Sequence, residues 1–403
     1  MNKLTIRDYD LAGKTVFARL DWNVPIEDGQ VTDTFRIEAT KPTVDYLVEQ
    51  GCKVIIASHL GRPDGKADPE FSLRPAAKAA TTIFGRPVAF VADCVGDSVR
   101  QAAAKLQPGD LLCLENVRFH AEEEANDAGF AKQLAADTGA EVFVYDAFAS
   151  YRPHASTEGL AHVLPAVAGL LVEQEVNYIT GAIEHPKRPL VAIIGGAKVS
   201  TKVAILDHLI PKVDAMLLTG PIANTFALAQ GHHIGQSVAE PEEVPTVKRL
   251  MKLAADPEVN TQLLIPEEVV VSRSLEQPQD VRTVALEAVG ADDYIVDASP
   301  AYAAKLNAVI DEYLDPDGAC TIIWNGPLGV TEVEEFQAGS RAMADAIINL
   351  HCTSIIGGGD TASFVDEAGL HDKFTWVSTG GGASLELMSG QGLPCVDALL
   401  DHP

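Results

Sequence analysis

Positive charge is scarce in this 403-residue chain: 30 Lys and Arg stand against 57 Asp and Glu, a formal charge of −27 with His neutral. Binding to duplex DNA or an anionic membrane surface needs the opposite balance, so neither is an expected partner. The same field repels small anions, and a site for phosphorylated ligands must gather its few cations in one place. Cysteine is sparse too. Cys52, Cys94, Cys113, Cys320, Cys352 and Cys395 are scattered with no C-x-x-C among them, which offers no zinc or redox motif and predicts buried thiols in a reducing compartment. No uninterrupted apolar run approaches the ~18 residues of a membrane span. The opening MNKLTIRDYD has no apolar stretch after Lys3, so no secretion signal is expected and the cytoplasm is the expected compartment. Neither G-x-x-x-x-G-K-[ST] nor G-x-G-x-x-G occurs.

What is present is an α/β alternation. Apolar residues make up 47% and charged residues 22%, as in soluble globular proteins, and the length suggests two or three domains. Short apolar, β-rich runs recur at Thr15–Leu20, Lys53–Ala57, Pro87–Val91, Leu111–Leu114 and Glu141–Tyr145, each followed by a longer segment of helical period. Most lack strict alternation, as strands buried on both faces do. From Leu170 to Ile183 the pattern is one helical stripe of Val172, Val176, Ile179 and Ile183, stopped by Glu184-His185-Pro186-Lys187-Arg188-Pro189. The alternation then resumes at Leu190–Ile194, Ala215–Leu218, Gln262–Ile265, Thr321–Trp324, Thr353–Ile356 and Phe374–Val377. Two open parallel sheets with helices on both faces, meeting at this helix, are the simplest architecture. Ligands of such sheets lie beyond the carboxyl ends of the strands.

Those positions carry the chemistry. In the first half they hold Asp21 and Asn23, then His59 and Arg62, then Arg118, then Arg152 with His154, while Arg36 follows in the first long loop. A lone loop arginine is usually solvated. Several at independent strand ends suit a small, highly anionic ligand, because guanidinium forks grip phosphate and carboxylate bidentately. His120 and Glu122-Glu123-Glu124 read as a solvated helix start.

In the second half three glycine clusters follow apolar runs: Gly195-Gly196-Ala197-Lys198, Gly357-Gly358-Gly359-Asp360-Thr361 and Gly380-Gly381-Gly382. Each is expected to pass from strand to helix N-terminus, where bare backbone N–H groups approach a phosphate closely. One such turn means little; three suggest a polyphosphate. Lys198 and Lys202, four apart, are expected on one helix face there. Asp360 suits Mg2+ or, equally, a helix N-cap.

Together these segments resemble the phosphoglycerate kinase family over nearly the whole chain. The resembling stretches are Arg19 to Pro25, Ser58 to Pro63, Glu115 to Phe119, Gly195 to Ser200 with Lys202, Trp324-Asn325-Gly326-Pro327, Gly357 to Thr361 and Ser378 to Ser384, in the family's order. The resemblance implies two Rossmann-like three-layer domains with parallel sheets joined by a helical hinge. Residues 1–170 would bind 3-phosphoglycerate, 171–186 would link, 187–386 would bind nucleotide, and 387–403 would return to the first domain. It implies that Asp21, Asn23, Arg36, His59, Arg62, Arg118 and Arg152 bind 3-phosphoglycerate. Mg-ATP would be held through Gly196, Lys202, Asn325, Pro327, Glu332, Gly357, Gly358, Gly359, Asp360 and Thr361, with Asp360 on the metal. Lys198 would sit on the transferring phosphoryl group. The chain departs from the pattern in having one residue fewer and no histidine between Asp146 and Arg152, in the segment Thr219–Phe226, and in Thr331 before Glu332.

The implied reaction is phosphoryl transfer between ATP and a carboxylate. That nucleophile is already anionic and needs no general base, so catalysis reduces to positioning and charge neutralisation. Arg36, Lys198, Mg2+ and the amides around Gly358 and Gly381 suit that work. Substrates on separate domains would require closure, and a monomer is expected from the family. Three other readings are a nicotinamide dehydrogenase, a non-catalytic member of the fold, and a kinase for another phosphorylated carboxylate.

Overall fold

The computed structural model describes residues 1–313 and 318–402; Pro403 of the terminal segment and residues 314–317 of the second half lie outside the described residues. The chain divides into two compact units, Met1–Asn177 with Gly392–Pro403 and Tyr178–Gln391. The division falls inside the helix Leu170–Glu184.

In the first unit the strands are β1 (Thr15–Leu20), a short hairpin of β2 (Ile26–Glu27) and β3 (Gln30–Val31), then β4 (Lys53–Ala57), β5 (Val88–Phe90), β6 (Leu111–Cys113), β7 (Val142–Asp146) and β8 (Ala166–Ala168). Six of them form one parallel sheet in the order β5-β6-β4-β1-β7-β8. Its central strands are apolar on both faces because both are covered. Val16, Ala18, Leu20, Val54 and Ile56 pack with Leu47, Ala76 and Ala80, while Phe17 and Phe143 pair on adjacent strands at 6.3 Å between ring centroids. The helix Arg74–Phe84 shows how sequence sets one such cover. Pro75 pre-forms its first turn, Ala76, Ala77, Ala80 and Phe84 are its buried stripe, and Gly85 ends it at φ 65°. The last residues return to this unit: Leu4 N–H donates to Leu400 O at 2.8 Å, and Leu400 N–H to Ala166 O of β8 at 3.0 Å.

The second unit adds β9 (Leu190–Ile194), β10 (Ala215–Leu218), β11 (Gln262–Leu264), β12 (Glu268–Ser272), β13 (Arg282–Ala285), β14 (Tyr294–Ala298), β15 (Thr321–Asn325), β16 (Thr353–Gly357) and β17 (Trp376–Val377). A parallel sheet runs β11-β10-β9-β15-β16-β17. A separate antiparallel sheet, β13-β12-β14, was not anticipated from the apolar runs. Trp324, fully buried in β15, packs its ring on Phe364 and Phe374.

Two expected thiols are not free, since Cys320 and Cys352 form a disulfide. Each immediately precedes a strand, and the pairing of Thr321 with Thr353 in β15 and β16 sets the two cysteines side by side, Cα atoms 4.8 Å apart. Their separation of 32 residues hides this adjacency in the sequence. Cys52, Cys94, Cys113 and Cys395 are free and buried.

Both parallel sheets contain a point where connections leave in opposite directions, which opens a crevice. In the first it lies between β1 and β7, in the second between β9 and β15.

Candidate active site

Four consecutive strands of the first sheet, β6, β4, β1 and β7, deliver the anion-binding candidates at their carboxyl ends. Asp21 follows β1 and is nearly buried; its Oδ2 accepts from Arg36 Nη1 at 2.7 Å, while Asn23 N–H donates to its Oδ1 at 3.2 Å. Asn23 Oδ1 accepts from Gly61 N–H at 2.9 Å, and Gly61 O accepts from Arg118 Nη1 at 2.8 Å. The loops after β1, β4 and β6 are therefore tied together through the candidate residues themselves. Burial pulls the Arg118 guanidinium down from its ordinary value against the opposing charge of Glu124, whose Oε1 is 3.3 Å from Arg118 Nε. Arg62 and Arg152 are exposed. Arg62 lies close enough to act on Arg118, and Arg152 on His154.

A buried network joined to these loops was missed by the sequence reading. Arg19, the last residue but one of β1, is 1% exposed. It donates to Ser156 Oγ at 3.0 Å, to His59 Nδ1 at 3.1 Å and to Leu20 O. Ser156 in turn donates through Oγ and N–H to Glu123 at 2.6 and 2.9 Å. Glu123 is fully buried, which corrects the reading of Glu122-Glu123-Glu124 as a solvated run. Burial pushes its carboxyl up, opposed by Arg19 and Ser156. The available signal was an arginine inside an apolar strand, because a buried charge requires partners. Burial and then the charges of Arg19, Arg118, Arg36 and His154 hold His59 well below the ordinary imidazole value; His154 is lowered to about 4 for similar reasons.

In the second unit the loops after β9, β15, β16 and β17, again four consecutive neighbours, carry the glycine clusters and Asn325-Gly326-Pro327. Gly326, at φ 97°, lies against the Gly195 backbone, where any Cβ would collide. Its N–H donates to Thr361 Oγ1 at 2.7 Å, joining the β15 loop to the helix Gly359–Glu367. Gly358 caps that helix at φ 89°, and Gly381 caps Gly382–Met388 at φ 44°. These two clusters do lead directly into helices. The Gly195-Gly196 cluster does not: the next helix begins at Val203, with Lys202 as its N-cap, so Lys198 lies in a loop and the two lysines do not share a helix face. Extra turn residues separate glycine from helix there. Lys202 is buried and donates to Asn325 Oδ1; burial lowers its ammonium to about 8, against the pull of Asp360. Lys198 is exposed and within the field of Glu240.

A cavity of about 210 Å³ opens beside these loops. Gly196, Pro327, Glu332 and Asp360 of the expected residues line it, as does Thr331. Its apolar walls are Val238, Leu275, Ile295 and Val330, which no motif marked, and Asn224 and Asp297 add polar groups. Burial raises the Asp297 carboxyl to about 8; Gly339 N–H donates to its Oδ2 at 2.6 Å. An apolar slot continuous with a phosphate-type glycine floor fits a nucleotide.

Asp360, exposed in the first turn of its helix, and Glu332 present carboxylate oxygens of the hard type Mg2+ takes. Elsewhere Asp93, Cys94 and His120 bring possible ligand atoms within 4.8 Å of one another. Those atoms are already engaged, His120 Nε2 with Asp93 Oδ1 at 3.0 Å and Cys94 Sγ with Glu115 O at 3.0 Å.

Comparison with known proteins agrees with this geometry. The phosphoglycerate kinase family model matches residues 6–391. The chain is 46% identical to phosphoglycerate kinase of Moorella thermoacetica and 43% identical to that of Pelotomaculum thermopropionicum, each over the whole of both chains. The solved phosphoglycerate kinase of Coxiella burnetii matches with a TM-score of 0.87 at 37% identity, and that of Pyrococcus horikoshii with 0.81 at 27%, each covering 98% of both chains. Seven ordered motifs, two sheets with arginine and glycine loops at their carboxyl ends, and full-length likeness agree: the chain belongs to the phosphoglycerate kinase family.

Proposed function

We propose that the two sets of strand-end loops divide the family's reaction between them. That reaction is reversible phosphoryl transfer between ATP and the carboxylate of 3-phosphoglycerate, giving ADP and 1,3-bisphosphoglycerate. The first unit holds 3-phosphoglycerate through Asp21, Asn23, Arg36, His59, Arg62, Arg118 and Arg152. The second holds ATP through Gly196, Lys202, Asn325, Pro327, Glu332, Gly357 to Gly359, Asp360 and Thr361. The observation that carries the reading is the delivery of arginines by adjacent strands of one sheet in a chain whose net charge is −27. Such a concentration has little use except for a multiply charged small anion.

The chain's residues position and neutralise. Arg36 and Lys198 offset charge on the phosphoryl group in flight, and the amides at Gly358 and Gly381 receive its oxygens. Asp360 would hold Mg2+, which when bound neutralises charge on the phosphates. Transfer requires both ligands to meet with water excluded, so closure of the two units belongs to the proposal. Compaction in small-angle scattering only when both ligands are present supports it; unchanged dimensions of the ternary complex count against it. We read the acting species as a cytoplasmic monomer with no nucleic-acid or membrane partner, to be checked by sedimentation; no described helix is long and apolar enough to cross a membrane.

The test is a coupled assay with Mg-ATP and 3-phosphoglycerate, glycerate or acetate as acceptor. Turnover confined to 3-phosphoglycerate supports the reading. Equal turnover of glycerate removes these arginines from substrate recognition.

A further inference from the structure

The hydrogen bond between Arg19 and His59 has only one possible sense. Arg19 Nη2 lies 3.1 Å from His59 Nδ1, and both residues are buried. A guanidinium carries donors alone and is not deprotonated in proteins. Nδ1 must therefore accept, which leaves the proton of a neutral imidazole on Nε2. Among the described residues this is the ring's one hydrogen bond, so Nε2–H is available to a ligand.

We propose that Arg19 is a positioning residue for the reaction, holding His59 as the neutral Nε2–H tautomer so that the ring offers bound 3-phosphoglycerate a single aimed donor. The proposal rests on the reading of the first unit as the 3-phosphoglycerate site. Arg19 is itself aimed by its neighbours. Its Nε donates to Ser156 Oγ at 3.0 Å, its Nη1 to Leu20 O, and Ser156 is gripped by the buried carboxylate of Glu123 at 2.6 and 2.9 Å. The order Glu123, Ser156, Arg19, His59 thus runs from the short helix Ala121–Glu124 through the loop after β7 and β1 to the loop after β4.

The charge surroundings keep the ring neutral. Arg19 on β1, Arg36 on the helix Phe35–Ala39, Arg118 after β6 and His154 after β7 all act on His59, and burial adds to them. With no opposing carboxylate among these influences, a second ring proton is disfavoured throughout the physiological range. The tautomer, however, follows from the Arg19 donor, the ring's one hydrogen-bond partner among the described residues. With Nδ1 protonated instead, Nε2 would turn a lone pair toward an anion.

Two measurements on the full chain test this. Long-range 15N–1H correlation of the His59 ring should show the neutral Nε2–H form at pH 7; an Nδ1–H ring or an imidazolium there overturns the proposal. His59→Gln places an amide N–H near the Nε2 position and His59→Asn near Nδ1. The KM for 3-phosphoglycerate should rise about tenfold more in the Asn variant than in the Gln variant, the scale of one hydrogen bond to a charged group, with KM for ATP unmoved in both. Equal loss in the two, or better function with Asn, overturns it. If Arg19→Met, which removes the donor, folds, its His59 ring should populate the Nδ1–H form; an unchanged tautomer in that variant also refutes Arg19 as its cause.

Discussion

Replacing Lys202 with methionine should make the protein more stable and the enzyme nearly inert with ATP. Lys202 is 9% exposed, and burial lowers its ammonium to about 8 from an ordinary 10.5. At 1.36 kcal/mol per pH unit, carrying that charge costs the ligand-free fold about 3 kcal/mol at pH 7. The unfolded chain binds more protons between pH 8 and 10.5, so stability rises with pH across that window, and the full penalty is present below pH 8. Methionine has a similar length and no charge. It forfeits the bond to Asn325 Oδ1, about 2 kcal/mol for a charged donor whose buried acceptor is left unpaired. The net gain at pH 7 is about 1 kcal/mol, a rise in Tm of roughly 2–4 °C for a unit of this size. Urea unfolding at pH 7 and pH 10 measures it, and the advantage should shrink at the higher pH as wild-type Lys202 discharges. Meanwhile kcat/KM for ATP should fall at least about 10²-fold, as when one preorganised donor to a transferring group is removed. In wild type the same quantity should drop about tenfold per pH unit above 8, because only the charged ammonium helps the phosphates. A methionine variant less stable than wild type at pH 7, or one keeping half its kcat/KM for ATP, refutes the reasoning.

Lys198→Ala should lower kcat by about 10²–10³-fold while leaving thermal stability unchanged, since the side chain is exposed; a variant with more than half the wild-type kcat removes Lys198 from the transfer step. Arg36→Lys keeps the charge but loses the fork that reaches Asp21 Oδ2, and should raise KM for 3-phosphoglycerate about tenfold with KM for ATP constant; an unaltered KM would place the fork outside recognition. Glu123→Ala leaves buried Ser156 and Arg19 uncompensated and should cost about 3–5 kcal/mol, whereas exposed Glu122→Ala should stay within about 0.5 kcal/mol. Equal effects of the two in denaturant unfolding would contradict the assigned network.

The parallel sheets were legible because strands buried on both faces are short, continuous apolar runs. Thr15–Leu20, Lys53–Ala57, Leu190–Ile194 and Ala215–Leu218 match their strands to the residue. The antiparallel strands were not, since β13 is a half-exposed run of four residues beginning with Arg282. Lys198 and Lys202 were set on one helix because spacing of four satisfies helical geometry, but spacing says nothing of where the helix starts, and turn residues intervene before Val203. Arg19 carries no mark in the sequence and Glu123 reads as solvated for the opposite reason: charged residues are normally exposed, and only packing reveals that these two are buried and joined through Ser156. The Cys320–Cys352 pairing follows from strand order, which sequence alone leaves open. The cavity walls Val238, Leu275, Ile295 and Val330 come from four separate segments, so no local motif could mark them.

The central claim is that the strand-end arginines of the first unit read a phosphorylated carboxylate and the glycine loops of the second hold the phosphoryl donor. Its most direct test is the steady-state rate of 1,3-bisphosphoglycerate formation from Mg-ATP and 3-phosphoglycerate, set beside glycerate and acetate as acceptors. Turnover with 3-phosphoglycerate alone is the predicted result. No turnover with any acceptor, in folded protein that still binds ATP, would contradict it.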